Sequence, residues 1–225
     1  FPSKDRAAVP AVSESYETNV PGLHVIGALA GYPLIKNCMN QGFEVIEHIL
    51  GHPVVPADEP ILREVFAGLP GSISEIIERI RSTLPLFGPL TPVQLREFLV
   101  DSAVHTLRRG APIFERNDFT DSFYTILEGQ VEVTLPASDA DADSDLQDER
   151  QRALRRFELG QGEFFGEGSL ISGRRRSGTV RAASDCVVIE TPRLSMNRLI
   201  RSAADVKRVI ETTFLLRRLE KEFPG

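Results

Sequence analysis

Tryptophan is absent from the 225 residues, and cysteine occurs only twice, at Cys38 and Cys186. Two cysteines this far apart, with no CxxC pair and no histidine at metal-ligand spacing, give neither a disulfide framework nor a zinc site. The expectation is a pair of reduced, buried thiols and no bound metal. No apolar run approaches the ~20 residues of a membrane-spanning helix, and the first ten residues lack the apolar stretch of a secretory signal, so a cytoplasmic protein with no membrane contact is expected. An excess of base is missing too: 26 Lys and Arg stand against 32 Asp and Glu, a net charge of −6. Wrapping nucleic acid needs the opposite balance, so nucleic acid is not an expected partner and any anion site must be local. His24, His48, His52 and His105 have no partnered Ser, Cys or Asp at a readable spacing, which leaves no catalytic residue to nominate.

What is present is an ordinary apolar fraction of 41%, enough for a real core. The chain opens on Phe1 rather than Met, and the expectation is a piece of something longer. Residues 1–52 read as a polar lead, an extended stretch around Leu23-His24-Val25-Ile26-Gly27, and a helix over 34–50 with Ile35, Met39, Phe43, Ile46 and Ile49 at helical spacing. Gly51 and Pro53 end it. Residues 53–83 read as a stiff connection through Pro53, Pro56 and Pro60, then a helix over 72–83. Ser72 and Glu75 form a capping-box pattern there, and Ile73, Ile76, Ile77 and Ile80 supply a buried face.

From residue 84 the texture changes. Thr91-Pro92 opens a short helix carrying Leu95 and Phe98. Strand-like runs follow at 104–107, 113–114, 123–127 and 131–135, with turn signals at Gly110, Asn117-Asp118 and Gly129. Residues 138–152 are strongly charged with one large apolar residue, Leu146, and read as a solvated loop. Strands resume at 153–157, 178–182 and 185–190. After Pro192 a helical stripe runs through Val206, Val209, Ile210, Phe214, Leu216 and Leu219 to Phe223. The expected class is α+β, a small antiparallel β-barrel over 84–225 flanked by N- and C-terminal helices.

Chemistry concentrates in Phe165-Gly166-Glu167-Gly168-Ser169-Leu170 and the following Arg176-Ser177-Gly178-Thr179-Val180-Arg181-Ala182. Gly166 lets backbone N–H groups approach a ligand closely, and a short helix from Gly168 or Ser169 to Ser172 aims its first donors at a phosphate. Arg176 supplies a planar guanidinium suited to phosphate oxygens. Glu167 repels a phosphate; its place makes sense if it accepts from a ribose hydroxyl while Arg176 balances the charge. The plainer reading of Arg174-Arg175-Arg176-Ser177 is a solvated basic turn. The spacing of Gly160, Gly162 and Gly166 is one residue too long for a dinucleotide loop.

This segment resembles, without a gap, the phosphate-binding cassette of the cyclic-nucleotide-binding family, which includes the cAMP-dependent kinase regulatory subunit, the catabolite activator protein and the hyperpolarisation-activated channels. Gly178 stands where the family has a small Ala. The runs Gly110-Ala111-Pro112-Ile113-Phe114 and Asp121 to Gly129 resemble the family's second and third strands. The resemblance implies a jelly-roll-like domain over 84–225, a sensor of cAMP or cGMP rather than an enzyme. It implies that Gly166 and Glu167 hold the ribose 2′-hydroxyl, with Gly168 in the cassette helix. Arg176 and the Ser177 amide hold the cyclic phosphate, Leu170 and Val180 wall the pocket, and Arg217 of the last helix reaches the purine with Phe214 or Leu216 as an apolar lid.

A second resemblance lies at the other end. Thr18-Asn19-Val20-Pro21-Gly22-Leu23-His24-Val25-Ile26-Gly27-Ala28, with Gly31-Tyr32-Pro33-Leu34-Ile35-Lys36 and Gln41-Gly42, is similar to the tail of thioredoxin-reductase-like FAD/NAD(P) flavoproteins. Ala28 takes the place of their flavin-binding Asp, and no Gly-rich pyrophosphate loop is present. The alternative function is therefore the C-terminal fragment of an FAD- or NAD(P)-dependent pyridine nucleotide-disulfide-type oxidoreductase. The two readings meet in a longer parent that fuses such an enzyme to a sensor, with no FAD or other cofactor expected in this chain itself. The expected partners are a cyclic nucleotide, the oxidoreductase domain and a second copy through the C-terminal helix.

Overall fold

The structure, a computed structural model, describes residues 9–31, 35–136 and 154–222. Tyr32, Pro33 and Leu34 of the N-terminal motif, the charged loop at 138–152, residue 153 and Phe223 lie outside the described residues. The chain divides into two compact units, one of Phe1–Arg81 with Phe87–Asp101, the other of Ser82–Leu86 with Ser102–Gly225.

In the first unit an isolated bridge joins Glu17 to His24, and a 3-10 turn, Gly27–Ala30, leads to helix α1, Ile35–Ile49. The helix lies where its periodicity predicts, but the stripe that defines it points outward: Ile35 is 78% exposed and Met39 71%, and Phe43, Ile46 and Ile49 are exposed as well. The opposite face is the packed one. Val45 joins Val12, Tyr16, Ala30 and Val93 in a small core. Beside it Gln41 accepts from the Gly27 amide at 2.8 Å, while Glu44 accepts from the Tyr16 hydroxyl at 2.7 Å and the Ala57 amide at 3.0 Å. Buried polar groups must be paired, and these find their partners only facing inward.

The proline-rich connection differs from expectation in holding a helix, α2, Glu59–Val65, whose first turn accommodates Pro60 because the missing N–H has no intrahelical partner there anyway. Helix α3, Ile73–Thr83, buries Ile73, Ile76, Ile77 and Ile80, and its capping pair is formed: the Ser72 amide donates to Glu75 at 2.7 Å. Helix α4, Pro92–Leu99, carries a full capping box between Thr91 and Gln94.

The second unit contains eight strands among the described residues: β1 Ala103–Leu107, β2 Pro112–Phe114, β3 Phe123–Glu128, β4 Gln130–Pro136, β5 Leu154–Gly160, β6 Phe164–Phe165, β7 Thr179–Ala182 and β8 Cys186–Thr191. They form two antiparallel four-stranded sheets, β1-β8-β3-β6 and β2-β7-β4-β5. Phe114, Ile126, Val131, Val133, Leu159, Phe165, Val180 and Val188 pack into one core. This is the expected α+β arrangement around a sandwich-like barrel. Asn117 takes a positive φ of 71°, as its place in the β2–β3 turn requires. Neither cysteine is in a disulfide; Cys186 is buried, whereas Cys38 is only half-buried.

Between β6 and β7 lies the short helix α5, Glu167–Ser172; after β8 come α6, Arg193–Ser202, and α7, Ala204–Glu222. The single helical run expected after Pro192 is thus broken at Ala203, which is extended. Of the predicted stripe Val206 and Ile210 are buried and Phe214 half-buried, while Val209, Leu216 and Leu219 are exposed. Among the described residues no helix is long and apolar enough to cross a membrane.

Candidate functional site

Gly166 sits between β6 and α5 with φ 87°, a conformation that favours glycine. Space demands glycine as well, since a Cβ there would lie 2.8 Å from Arg176 Nη1 and 2.9 Å from the Ser122 carbonyl oxygen. What packs close against Gly166 is the Arg176 side chain and the Ser122 carbonyl of this chain itself.

Arg176 is not part of a solvated turn. Its side chain is 2% exposed, although Arg174, Arg175 and Ser177 beside it are exposed. Its backbone is clipped to the β2–β3 turn by two hydrogen bonds: the Asn117 amide donates to the Arg176 carbonyl at 2.9 Å, and the Arg176 amide donates to the Asp118 carbonyl at 3.1 Å. The guanidinium turns inward and donates from Nε to Thr120 Oγ1 at 2.8 Å, from Nη2 to the Ser122 carbonyl at 2.7 Å and from Nη1 to Ser169 Oγ at 3.4 Å. The Phe114 ring lies 4.1 Å from its central carbon and the Tyr124 ring 5.6 Å. These hydrogen-bond acceptors are all neutral. Burial pushes the guanidinium's pKa below its ordinary value, even though Tyr124, Asp121, Glu190 and Asp118 act to raise it.

Glu167, in the first turn of α5, is 8% exposed. The cation that balances it is Arg217 rather than Arg176, a correction to the sequence reading. Arg217 Nη1 donates to Glu167 Oε1 at 2.9 Å and to the Phe164 carbonyl at 2.8 Å, with its guanidinium 5.3 Å from the Phe164 ring centre. The last helix is thus tied directly to the cassette. Of the proposed lid residues, Phe214 is half-buried and Leu216 exposed.

Leu170 and Val180 are buried, Gly168 half-buried in α5, and Ser177 exposed just ahead of β7. Gly178 has a steric reason to lack a side chain, because a Cβ would lie 2.3 Å from Leu135 Cδ2 and 2.6 Å from the Thr134 carbonyl oxygen. The structure adds Thr120, Ser122, Ser169, Phe114 and Tyr124 to the residues around Arg176. Ser169 lies within the cassette motif and Ser122 within the run from Asp121 to Gly129, but Thr120 and Ser122 are more than fifty residues from Arg176 in the chain and nothing in the sequence pairs them with it.

A cavity of about 900 Å³ opens within the first unit and is lined in part by Tyr16, Glu44, Asp58, Glu59 and Arg96. Its charged groups engage one another: Arg96 donates to Asp58 at 2.6 and 3.1 Å and to Glu59 at 3.0 Å. Size alone does not make it the site, because the convergent donors lie in the cassette.

Comparison with known proteins bears on the fold of the second unit. Residues 104–203 match the family model of the cyclic nucleotide-binding domain. A cyclic nucleotide-gated potassium channel from Mesorhizobium japonicum is 30% identical over 137 residues, which cover 61% of this chain and 34% of the channel. The chain therefore spans about a third of the length of that curated relative. Among solved structures, the sensor domain of the transcriptional regulator DNR from Pseudomonas aeruginosa superposes with a TM-score of 0.52 at 20% identity, covering 67% of this chain and 92% of that one. The regulatory domain of Toxoplasma gondii PKA with cAMP gives 0.49 at 19% identity, covering 67% and 50%. Within the second unit, residues 104–203 thus match a cyclic nucleotide-binding domain.

Proposed function

We propose, from the premise that residues 104–203 are a cyclic nucleotide-binding domain, that the chain is a receptor for cAMP or cGMP. The observation that carries this is Arg176, a fully buried guanidinium whose hydrogen bonds end on neutral acceptors, inside the cassette motif and near a buried carboxylate. A buried charge is expensive unless it is paired. A cyclic phosphate supplies the missing anion.

In this reading Arg176 and the Ser177 amide bind the phosphate, and the phosphate takes over donors now spent on Ser122, Thr120 and Ser169. Arg217 occupies Glu167 Oε1, which leaves Oε2 to accept from the ribose 2′-hydroxyl beside the Gly166 amide. Gly168 lies in the first turn of α5, with open space where a side chain would stand. Leu170 and Val180 provide apolar walls. Arg217, already on Glu167, faces the purine and links occupancy to α7.

Occupancy favours one arrangement of α7 over another only by the ligand's difference in affinity for the two. The larger context is a cytoplasmic parent in which this sensor tunes an FAD- or NAD(P)-dependent oxidoreductase. Two observations favour it: the N-terminal motif, and the exposed apolar stripe of α1, which a larger body would cover. The chain alone is expected to hold no flavin, and a second copy pairs through the exposed leucines of α7. A visible spectrum of the purified chain tests the flavin statement. Calorimetric titration with cAMP and with cGMP tests the main one: saturable binding of at least one is expected, and failure of both refutes the receptor reading.

A further inference from the structure

The floor beneath Arg176 continues outward through the sheet. Ser122, whose carbonyl accepts from Arg176 Nη2 at 2.7 Å, also offers its hydroxyl to Glu190. Tyr124, whose ring lies 5.6 Å from the same guanidinium, donates its hydroxyl to Glu190 Oε1 at 3.0 Å. That ring is held flat against Phe165, 5.0 Å away with an interplanar angle of 5°, immediately before Gly166. Glu190 on β8 lies directly across from Tyr124 on β3 and from Ala103 on β1, and His105 of β1 closes on Glu190 Oε2 at 2.7 Å. One carboxylate thus gathers both residues that steady Arg176 from behind and is itself anchored at the half-exposed His105 side chain.

We propose that Glu190 is a positioning residue for the phosphate-binding guanidinium, acting through Ser122 and Tyr124, with His105 as its outer anchor. The consequence for ligand rests on the receptor reading above, but the orientation of Arg176 does not. Three physical features favour the role. Glu190 is a charged acceptor, and hydrogen bonds to charged acceptors are roughly twice as strong as neutral ones. Its two oxygens fix Tyr124 and His105 on neighbouring strands. Its negative charge reaches Arg176 through the barrel interior, where screening by solvent is weak. A guanidinium held by three neutral acceptors alone has other orientations of similar energy; the Ser122 and Tyr124 supports remove them, which reduces the ordering cost of binding.

The test compares the chain with Glu190→Gln, Tyr124→Phe and His105→Gln. In the ligand-free state the nitrogen-15 NMR signal of Arg176 Nε–H reports the orientation of the guanidinium, and a thermal melt verifies folding. Glu190→Gln is expected to move that signal and to weaken cAMP binding about tenfold; Tyr124→Phe does the same to a smaller degree, and His105→Gln less again. Should Glu190→Gln not fold, Tyr124→Phe carries the test. An unmoved Arg176 signal in folded variants overturns the proposal. So does a moved signal with unchanged affinity. If the signal moves but the parent chain binds neither cAMP nor cGMP, the receptor reading fails while the positioning of Arg176 stands.

Discussion

Replacing Arg176 by methionine separates two costs that a single wild-type measurement mixes. In the structure the guanidinium makes three hydrogen bonds to neutral acceptors and lies 4.1 Å from the Phe114 ring. Those bonds contribute ~0.5–1.5 kcal/mol each and the ring contact ~2 kcal/mol when desolvated. Against this stands the penalty of burying an unpaired cation, several kcal/mol even after relaxation. The opposing terms are of similar size, so Arg176→Met is expected to change folding stability by no more than about 2 kcal/mol in either direction. Binding responds differently. Two charge-assisted bonds to a phosphate contribute ~1.5–3 kcal/mol each and replace neutral bonds of ~0.5–1.5, a net loss of about 2–3 kcal/mol. That corresponds to a roughly 30- to 150-fold fall in affinity. Calorimetry gives the affinity and urea unfolding followed by circular dichroism gives the stability. Undiminished affinity, or a stability loss above ~3 kcal/mol, would mean that Arg176 is held in place for the barrel and not for a ligand.

Arg217→Ala breaks an ion pair whose side chains are only 23% and 11% exposed. It should lower stability by about 1–2 kcal/mol and speed hydrogen exchange across 204–222 by mass spectrometry. Gly178→Ala forces a methyl against Leu135 and the Thr134 carbonyl and should cost about 1–3 kcal/mol in a denaturant melt. Burial alone raises the Glu190 pKa, but hydrogen bonds from Ser122, His105 and Tyr124 outweigh it and hold the carboxyl below its ordinary 4.5. A lowered folded value means stabilisation present above pH 4.5 and lost as pH falls through that folded value. Glu190→Gln should therefore flatten the acid limb of a stability profile. Burial and the neighbouring Glu190 carboxylate push the Tyr124 phenol up to about 12, so it remains a donor through any ordinary assay pH.

Legibility in the sequence followed the range of the forces involved. Strands β1 to β4, the turn at Asn117 and the cassette were readable because alternation, turn residues and a phosphate cradle are local patterns. Strand β6 was not, since two residues carry no period and Phe164 and Phe165 owe their place to pairing with Thr125 and Tyr124. Helix α1 was readable as a helix, yet its buried side was not. An apolar stripe normally marks the packed face, and here the contacts of Gln41 and Glu44, set by residues 27, 16 and 57, put the other face inward. At the site, Gly166, Glu167 and Arg176 could be nominated from spacing, whereas the partner of Glu167 could not. Arg217 is fifty residues away, and its meeting with Glu167 depends on the break at Ala203, which no proline or glycine announces.

That unforeseen pair sets the charge the site can accept. Arg176 and Arg217 contribute two positive charges and Glu167 one negative, so 2 − 1 leaves one positive charge among three largely buried groups. A cyclic phosphodiester brings one negative charge and balances these three groups, while Glu190, which also acts on Arg176, is held by its own hydrogen bonds from Tyr124 and His105. A 5′-monophosphate brings between 1.5 and 2 negative charges at pH 7, by the second ionisation near 6, and leaves a surplus beside Glu167 where water is scarce. An uncompensated buried charge is costly, and the exposed Arg174 and Arg175 are too well solvated to offset it. Displacement of bound cAMP by 5′-AMP should accordingly need at least about tenfold more competitor than displacement by unlabelled cAMP. The gap should narrow as pH drops below ~6 and the monoester becomes a monoanion. Equal competition at pH 7 would show that the count of charges is not what selects the ligand.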